Sequence, residues 1–382
     1  MQPIQMVDTK TQYHHIKAEI DKAVIDVLES SQFIGGPMVT NFCNNLAAYL
    51  GAKHVIPCAN GTDALQIAYM ALGLQPGDEI ITPSFTYIAT VEAAALLGLK
   101  PVFVEVDKQT FCIDPAVIEA AITPRTKAIV PVHLYGHTAN MEAIMEIATK
   151  HNLFVIEDTA QAIGAAYTFA NGVTKKVSTI GHIGTISFYP SKNLGAYGDG
   201  GAMVTNDDEL AKKLQKIAQH GQSIRYLHDV VGCNSRLDAV QATILNVKLP
   251  HLDKYNEARN TLASYYDKAF AQHPNITIPY RAAYSKHVFH QYTITLSNAP
   301  DATLRNNLQA YLQLQGIPTM IYYPVPSHKQ KMFDYMGGSN ISLPLTDWLN
   351  DRVISLPMHT EMSDEQAAFI TNHVLTFLKN NN

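Results

Sequence analysis

Short apolar runs alternate with amphipathic segments from Lys53 onward. The runs are rich in β-branched residues and bounded by glycine and proline, which is typical of strands; they read HVIPCA, EIITPS, PVFVEV, KAIVPVHLY and LFVIED. The segments between them place apolar residues at helical spacing, as in ANMEAIMEIATKHN, and Asp114 followed by Pro115 marks the start of another helix. Strands that alternate with helices predict βα units and a mostly parallel sheet.

Two of these runs, KAIVPVHLY and LFVIED, are apolar almost throughout. Such runs are expected for central strands that helices cover on both faces. Two further strands are predicted in TISFYP and GAMVTN, joined by the glycine-rich loop SKNLGAYGDG and followed by the helix DDELAKKLQKIAQHG. We therefore expect an α/β domain built on one large sheet.

The pattern changes near residue 235. From Arg236 to about Gln272 helical spacing persists, and Pro250 is expected to kink this connector without ending it. Beyond it, strands near HVFHQYTITL and PTMIYY and the helices TLRNNLQAYLQLQG and SDEQAAFITNHVLTFL indicate a smaller α+β domain. The expected division of the 382 residues is a large domain, 1–250, and a small C-terminal domain, 251–382.

Composition and charge narrow the range of possible functions. Charged residues make up 16% of the chain, below the roughly 25% usual in soluble proteins, which indicates that much of the surface is buried. The net charge of -5 and the lack of any Lys/Arg-rich run disfavour a nucleic-acid-binding surface. The four cysteines are scattered, so we expect free thiols and neither a disulfide framework nor a metal site.

Targeting signals are not evident in the sequence. The N-terminal segment MQPIQMVDTK has neither the basic start nor the apolar core of a signal peptide. No stretch approaches the roughly 18 uninterrupted apolar residues that a membrane-spanning helix needs. We therefore expect a soluble cytoplasmic protein with no membrane association.

The most informative segment is SFYPSKNLG, in which Lys192 follows a short apolar strand and precedes a glycine-rich loop. A strand end exposes a side chain to a crevice, and a lysine desolvated there loses its proton and can form a Schiff base with a carbonyl cofactor. Upstream, the strand LFVIED ends in Asp158, a carboxylate that can pair with a protonated pyridine nitrogen and make pyridoxal 5'-phosphate (PLP) an electron sink. Taken singly, a solvated loop lysine and a helix-capping aspartate are the simpler interpretations.

Two other strand ends carry matching groups. After HVIPCA, the segment ANGTDAL opens a helix, where Gly61 and Thr62 would offer backbone N–H groups and a hydroxyl to a phosphate. In PSFTY, Tyr87 offers a ring that can stack on a flat cofactor, although helix capping and core packing are alternatives for these residues. Because a parallel sheet gathers its strand C-termini at one edge, the four groups together predict a PLP site.

At this point the chain resembles the DegT/DnrJ/EryC1/StrS family of PLP-dependent nucleotide-sugar aminotransferases, which have the aspartate aminotransferase-like fold (fold type I). The resemblance covers nearly all of the chain and rests on an ordered series of motifs: ANGTDAL, GDEIITPSFTY, ITPRTKAIVPVHLYG, IEDTAQAIGA, SFYPSKNLGAYGDGGA, NSRLDAVQATIL and SLPMH. It implies a large domain with a mostly parallel sheet and a smaller C-terminal domain.

The resemblance also implies roles for the cofactor-binding residues. Lys192 would attach PLP covalently and then act as the base that moves a proton, and Asp158 would hold the pyridine nitrogen. Gln161 would lie near the pyridoxal hydroxyl and Tyr87 would stack on the ring. The phosphate would be held by Gly61, Thr62 and Ser187. Asn234 of the NSR motif would contact the phosphate of the other subunit, which implies a homodimer with shared active sites.

The substrate side is implied less fully. Arg225, Arg236, Tyr322 and His328 would contact the substrate. The chain departs from the common IHYP pattern by reading IYYP at Tyr322. A related dehydratase branch has histidine in place of the Schiff-base lysine, so Lys192 argues for transamination.

The implied function is transfer of an amino group from glutamate to a keto carbon of a nucleotide-linked sugar. The HGQ segment with Arg225 and Tyr226 is similar to members that aminate C-3 of UDP-2-acetamido-3-ketoglucuronate for bacterial surface polysaccharide (O-antigen, lipopolysaccharide) biosynthesis. An arginine can bind a uronate carboxylate through two hydrogen bonds, although Arg225 can equally contact nucleotide phosphates.

Other functions stay open at this point. Within the enzyme class, the alternatives are C-4 amination of a UDP-4-keto-6-deoxy-N-acetylhexose and C-3 amination of a dTDP-3-keto-6-deoxyhexose. A catalytically inactive regulatory or scaffold protein is a different class. It is opposed by the acidic balance and by the joint presence of Lys192, Asp158 and Gln161.

Overall fold

The computed structural model describes residues 2–381. Its strands are β1 (His54–Cys58), β2 (Glu79–Pro83), β3 (Lys100–Val104), β4 (Thr126–Ile129), β5 (Phe154–Asp158), β6 (Ala166–Thr168), β7 (Thr174–Lys176), β8 (Ile183–Ser187), β9 (Gly201–Thr205), β10 (Gln222–Ile224), β11 (Leu227–His228), β12 (Ile276–Thr277), β13 (Ser285–Lys286), β14 (Tyr292–Leu296) and β15 (Val353–Leu356). Its helices are α1 (Thr9–His15), α2 (Lys17–Ser30), α3 (Gly36–Leu50), α4 (Gly61–Ala71), α5 (Ala89–Leu96), α6 (Pro115–Ala121), α7 (Met141–His151), α8 (Asp208–Ala218), α9 (Ala239–Lys248), α10 (Leu252–Phe270), α11 (Thr303–Leu314), α12 (Pro344–Arg352) and α13 (Asp364–Asn380). In this described range, no helix has both the length and the apolar character needed to cross a bilayer.

A seven-stranded sheet forms the centre of the larger part of the molecule, in the order β1-β9-β8-β5-β4-β2-β3. The neighbours from β8 to β3 run parallel, whereas β9 runs antiparallel to both β8 and β1. The predicted mostly parallel sheet is therefore confirmed. Its topology places the carboxyl ends of β2, β5 and β8 at one edge.

Helices cover both faces of this sheet, because successive side chains of a strand point to opposite faces. On β9, Met203 packs in a core cluster with α4 and α8, whereas Ala202 and Val204 pack with α3 and α9. On β5, Ile156 joins the first cluster, and Val155 packs on the other side with α7. All five side chains are fully buried. Burial on both faces explains the apolar runs of the sequence.

The C-terminal part has its own core on a three-stranded sheet of order β12-β14-β15. Tyr292 of β14, Tyr266 of α10 and Ile370 of α13 lie in this core, and all three are fully buried. Between α9 and α10, Pro250 lies in a single 3₁₀ turn, Leu249–His251, so the connector is kinked but not ended there, as expected.

The segment PTMIYY, predicted as a strand, forms only an isolated bridge between Met320 and Ser355 of β15. It begins with Pro318 and is followed by Pro324, and proline lacks the N–H donor that a strand ladder needs. The chain instead runs to the edge of the large sheet, where the ring of Tyr323 contacts that of Tyr87.

Candidate active site

Lys192 lies in the loop between β8 and β9, beyond the carboxyl end of β8. Its side chain is half-buried. Burial lowers the pKa of its amine to about 8, because a low-dielectric site disfavours the ammonium form, and the charge of Asp158 acts in the opposite direction. At a given pH, more of this amine is therefore unprotonated than in an ordinary lysine, and the unprotonated form is the one that attacks carbonyls and accepts protons.

Asp158 ends β5, the strand next to β8 in the sheet, so its side chain and Lys192 share one sheet edge. The carboxylate is 5% exposed. Thr90 Oγ1 donates to its Oδ2 over 2.7 Å, and the Ala160 N–H donates to its Oδ1 over 3.1 Å. A buried carboxylate fixed in this way can face one cationic partner in a defined orientation.

The adjacent Glu157 is fully buried and points to the opposite face of β5. Its oxygens accept hydrogen bonds from the backbone N–H groups of Ser178, Ile180 and Gly181, and His133 Nε2 lies 3.0 Å from one of them. Glu157 therefore accepts hydrogen bonds inside the core. Asp158 is the carboxylate of this strand end that faces the site.

The start of α4 and the end of β8 meet closely. A Cβ atom added at Gly61 would lie 2.8 Å from Ser187 Cβ, so only glycine allows this approach without a shift. Asn60 caps the helix by accepting the Asp63 N–H over 2.8 Å. Within residues 2–381, the N–H groups of Gly61 and Thr62 have no acceptor. Two free donors at a helix N-terminus suit an anion such as phosphate.

Aromatic rings lie on the other side of this edge. Tyr87 is 56% exposed, and its ring centroid lies 6.1 Å from that of Tyr323. Gln161 is held at both ends of its amide: Oε1 accepts the Tyr135 N–H over 2.8 Å, and Nε2 donates to the Tyr323 hydroxyl over 2.9 Å. The exposed Tyr87 ring is available for stacking, and Gln161 is fixed in place.

These groups fit PLP. The close approach of Gly61 to Ser187, beside two free N–H donors, suits the phosphate of PLP. The half-buried amine of Lys192 suits the aldehyde of PLP. A buried, oriented carboxylate at Asp158 suits a protonated ring nitrogen.

The segment after α8 carries three more predicted site residues, Asn234, Arg225 and Arg236, and all three are exposed. Arg225 lies between β10 and β11 and stacks on the ring of Tyr226, 5.1 Å from its centroid. Arg236 lines a cavity of about 830 Å³ between α3 and α8. No described contact within this chain joins these three side chains to Lys192.

The buried Ser235, between Asn234 and Arg236, was not predicted. Its Oγ accepts the Ala59 N–H over 3.0 Å and donates to Asp63 Oδ2 over 2.7 Å. It ties the NSR motif to the loop that precedes α4. The backbone of Asn234 also forms an isolated bridge with Gln219, after α8.

The two remaining predicted residues differ in accessibility. Tyr322 is half-buried, its carbonyl accepts a hydrogen bond from the Tyr135 hydroxyl, and burial raises the pKa of its own phenol. His328 is fully buried, and its Nδ1 lies 2.7 Å from Ser84 Oγ. Its Nε2 has no hydrogen-bond partner within residues 2–381. A substrate contact of His328 would have to use that nitrogen.

Thr90 and Tyr323 are the contacts of the site that sequence reasoning missed. Thr90 lies three residues after Tyr87 at the start of α5, and one sequence gives no sign that its hydroxyl turns to Asp158. Tyr323 was placed in a strand. Its position in the IYYP motif beside the substrate residue Tyr322 was the available signal.

The comparisons with known proteins agree with this geometry. Residues 14–375 match the profile of the DegT/DnrJ/EryC1/StrS aminotransferase family. The S. venezuelae protein DesV, solved in complex with a ketimine intermediate, superposes with a TM-score of 0.93 over 99% of both chains at 39% identity. The predicted fold class is confirmed, whereas the domain boundary at residue 250 stays a prediction.

Similar proteins of known name cover almost the full length. A Geobacillus stearothermophilus protein named pleiotropic regulatory protein is 47% identical over 98% of this chain and 99% of its own. A UDP-2-acetamido-2-deoxy-3-oxo-D-glucuronate aminotransferase of Pseudomonas aeruginosa is 47% identical over 93% of this chain and 95% of its own. A UDP-N-acetyl-3-dehydro-alpha-D-glucosamine 3-aminotransferase of Acidithiobacillus ferrooxidans is 46% identical over 96% of each.

Proposed function

Because the chain belongs to the DegT/DnrJ/EryC1/StrS aminotransferase family, we propose that it transfers an amino group from glutamate to C-3 of UDP-2-acetamido-3-ketoglucuronate. It is a PLP-dependent nucleotide-sugar aminotransferase. The observation that carries the assignment of the reaction is the Lys192 amine of lowered pKa at the same sheet edge as the buried Asp158 carboxylate. The product would serve bacterial surface polysaccharide biosynthesis, as a building block of O-antigen and lipopolysaccharide.

Lys192 has two tasks in the proposed reaction. Its Nζ would hold the cofactor, and its amine would accept and return a proton at the substrate carbon. A pKa of about 8 suits both tasks, because the amine is neutral often enough to accept a proton and basic enough to hold it. PLP, when bound, supplies the electron sink that lets an amino group be taken up and passed on.

The other residues hold the cofactor in place. Asp158, oriented by Thr90, would keep the ring nitrogen protonated. Gly61, Thr62 and Ser187 would hold the phosphate. The ring of Tyr87 would stack on the cofactor, and Gln161 would contact the pyridoxal hydroxyl.

The uronate is favoured as the sugar because two arginines near the predicted shared site lack an acidic partner among the described ion pairs. Arg225 lies over the ring of Tyr226 and has no ion pair within residues 2–381, and Arg236 is exposed at the edge of a cavity. A guanidinium that binds a carboxylate bidentately gains strength and orientation. The P. aeruginosa relative named for the uronate is 47% identical to this chain. Tyr322 and the Nε2 atom of His328 would complete the sugar side.

The proposed state is a cytoplasmic homodimer with shared active sites. The hairpin of β10 and β11 and the residues after it expose large apolar side chains: Ile224 is 67%, Tyr226 76% and Val231 84% exposed. Exposed apolar groups of this size are expected at a contact surface. Asn234 follows this hairpin, so a second copy seated on it would bring Asn234 and Arg225 to the partner's phosphate and sugar.

The experiment compares two acceptors that differ only at C-6, the 3-keto uronate and its uncharged 6-hydroxymethyl analogue. The wild-type enzyme is expected to prefer the uronate at least tenfold in kcat/KM, because the analogue cannot form the charge-assisted hydrogen bonds between a carboxylate and an arginine. Arg225→Ala should shrink this preference. Arg125→Ala is the matched control, since Arg125 pairs with Glu79 at the amino end of the strands.

Equal efficiency with both sugars, or faster turnover of a 4-keto-6-deoxy acceptor, would refute the uronate assignment and leave the aminotransferase intact. Turnover of none of the acceptors by a PLP-loaded protein would favour the regulatory or scaffold alternative.

A further inference from the structure

Lys248, at the end of α9, is a buried lysine that the proposed reaction does not use. Its side chain is 1% exposed, and no carboxylate contacts it within the described residues. Its Nζ donates to the Gly195 carbonyl over 2.5 Å and lies 5.1 Å from the ring centroid of Tyr197. Burial, with the charge of Arg259, lowers its pKa to about 8. Because an ammonium buried without a counter-ion is costly, this lysine is poorly explained by packing alone.

Gly195 belongs to the loop that carries Lys192. The Lys192 N–H donates to the Tyr189 carbonyl over 2.8 Å, which closes the first turn of the loop. A Cβ atom added at Gly195 would lie 2.3 Å from the Pro190 carbonyl oxygen, so the two arms of the loop touch there. Lys248 therefore binds the loop at Gly195, where the loop closely approaches Pro190.

A second set of contacts fixes the residue next to Lys192. Asn193 is 4% exposed, and its Nδ2 donates to Asn256 Oδ1 over 2.7 Å and to the Val288 carbonyl over 3.0 Å. Its Oδ1 lies 3.2 Å from His290 Nδ1. Asn256 is on α10, so the loop is attached to two successive helices, to α9 through Lys248 and to α10 through Asn193.

We propose that Lys248 is a positioning residue for Lys192: its ammonium holds the Gly195 carbonyl, keeps the loop closed and so keeps the Lys192 amine desolvated at the sheet edge. The inference rests on the proposed role of Lys192 as the attachment point of the cofactor.

Two titratable groups face Lys192 from the elements packed around it. Asp158 on β5 raises the pKa of the amine. His290, before β14, has a pKa well below its ordinary value because of burial and the charges of Lys192 and Arg259, so it is neutral. Lys248 itself has a pKa of about 8, so in the wild-type protein it loses its charge in the same pH range as Lys192.

Replacing Lys248 by methionine keeps most of the side-chain volume and removes both the donor and the charge. A loop that is no longer held admits water to Lys192, and the pKa of that amine rises from about 8 toward its ordinary value of 10.5. A rise of one unit lowers the neutral fraction of the amine at pH 7.5 about eightfold. If Lys248 only filled space in the core, its replacement by a side chain of similar volume would leave the burial of Lys192, and hence the pKa of that amine, unchanged.

The test compares wild type, K248M, K248Q and K176M. Lys176 is the matched control, because burial also lowers its pKa to about 8 and its Nζ lies 3.1 Å from the ring centroid of Tyr49, not at the Lys192 loop. Each full-length protein is freed of cofactor, and the rate of PLP capture is followed by absorbance from about pH 6.5 to 9.5. The melting temperature of each cofactor-free protein and kcat and KM of each holoenzyme with glutamate are measured as well.

Wild type and K176M are expected to capture PLP with a midpoint near pH 8, where Lys192 and Lys248 both lose a proton, whereas in K248M the midpoint belongs to Lys192 alone. K248M should have a midpoint about one unit higher, capture about eightfold slower at pH 7.5, and a lower kcat with little change in KM. K248Q, which keeps a donor without a charge, should lie between them. A folded K248M with an unshifted midpoint and unchanged kcat would overturn the proposal; if K248M does not fold, an unshifted midpoint in K248Q does so. The role of Lys192 is tested separately, because K192A that still transaminates at the wild-type rate would refute that role whatever K248M does.

Discussion

The hydrogen bond from Thr90 to Asp158 can be removed with little change of shape. Thr90 is 1% exposed, and its Oγ1 donates to Asp158 Oδ2 over 2.7 Å. In Thr90→Val a methyl group replaces the hydroxyl. The carboxylate then keeps only the Ala160 N–H, on its other oxygen. Asp158 loses the contact that fixes its orientation toward the cofactor's ring nitrogen.

The expected cost follows from the charge of the acceptor. A hydrogen bond to a charged group contributes about 1.5–3 kcal/mol. When the partner is lost inside a buried site, the free-energy cost lies in the upper part of that range. About 2 kcal/mol corresponds to roughly 30-fold in rate. We therefore expect kcat of the glutamate half-reaction to fall between about 10-fold and 100-fold in Thr90→Val.

The assay follows the absorbance of the PLP-loaded enzyme after mixing with glutamate in a stopped-flow instrument. Thr82→Val is the matched control, because Thr82 is equally buried and its Oγ1 donates to the uncharged Val130 carbonyl over 3.0 Å. The control should lose stability of about 1 kcal/mol and keep its rate within about twofold. Rates of Thr90→Val and Thr82→Val that both stay near wild type would refute the role given to the Thr90–Asp158 contact.

Three further predictions address the cofactor and the assembly. Lys192→Ala should lower turnover at least roughly 1000-fold and abolish the absorbance band of the covalently held cofactor; wild-type turnover would show the attachment point to be elsewhere. Gly61→Ala should weaken PLP affinity at least about tenfold in equilibrium dialysis, because its Cβ would meet Ser187 Cβ at 2.8 Å; unchanged affinity would exclude this loop as the phosphate site. Sedimentation of the active enzyme should give twice the chain mass of 42.1 kDa, and an active monomer would contradict the shared site.

Local patterns of the sequence predict much of this fold. The long apolar runs identify β4 and β5 as strands covered on both faces, and the run TISFYP identifies β8. Since parallel strands end at one edge of a sheet, these predictions already place Asp158 and Lys192 at the same edge. The helix start after Asn60 could likewise be predicted, because capping depends on neighbours in sequence. The strand-end positions also indicated the roles of Lys192, Asp158 and Tyr87, whereas the roles of Gln161, Ser187, Asn234 and the substrate residues came only from the family resemblance.

The contacts that tune the site could not be predicted, because they join residues far apart in sequence. Thr90 meets Asp158 across 68 positions, and Lys248 meets Gly195 across 53. The prediction of a strand at PTMIYY was wrong for a local reason. Pro318 and Pro324 at its two ends lack the N–H donors that a strand ladder needs. The placement of the Tyr323 hydroxyl on Gln161 depends on that departure from strand structure.

One measurement tests the central claim most directly. The PLP-loaded enzyme is incubated with ¹⁵N-labelled glutamate and UDP-2-acetamido-3-ketoglucuronate, and the products are analysed by mass spectrometry and NMR. We expect 2-oxoglutarate and a UDP-sugar that carries ¹⁵N at C-3, formed by wild type and not by Lys192→Ala. A UDP-sugar without the label, or the same labelled product from Lys192→Ala at the wild-type rate, would contradict the account.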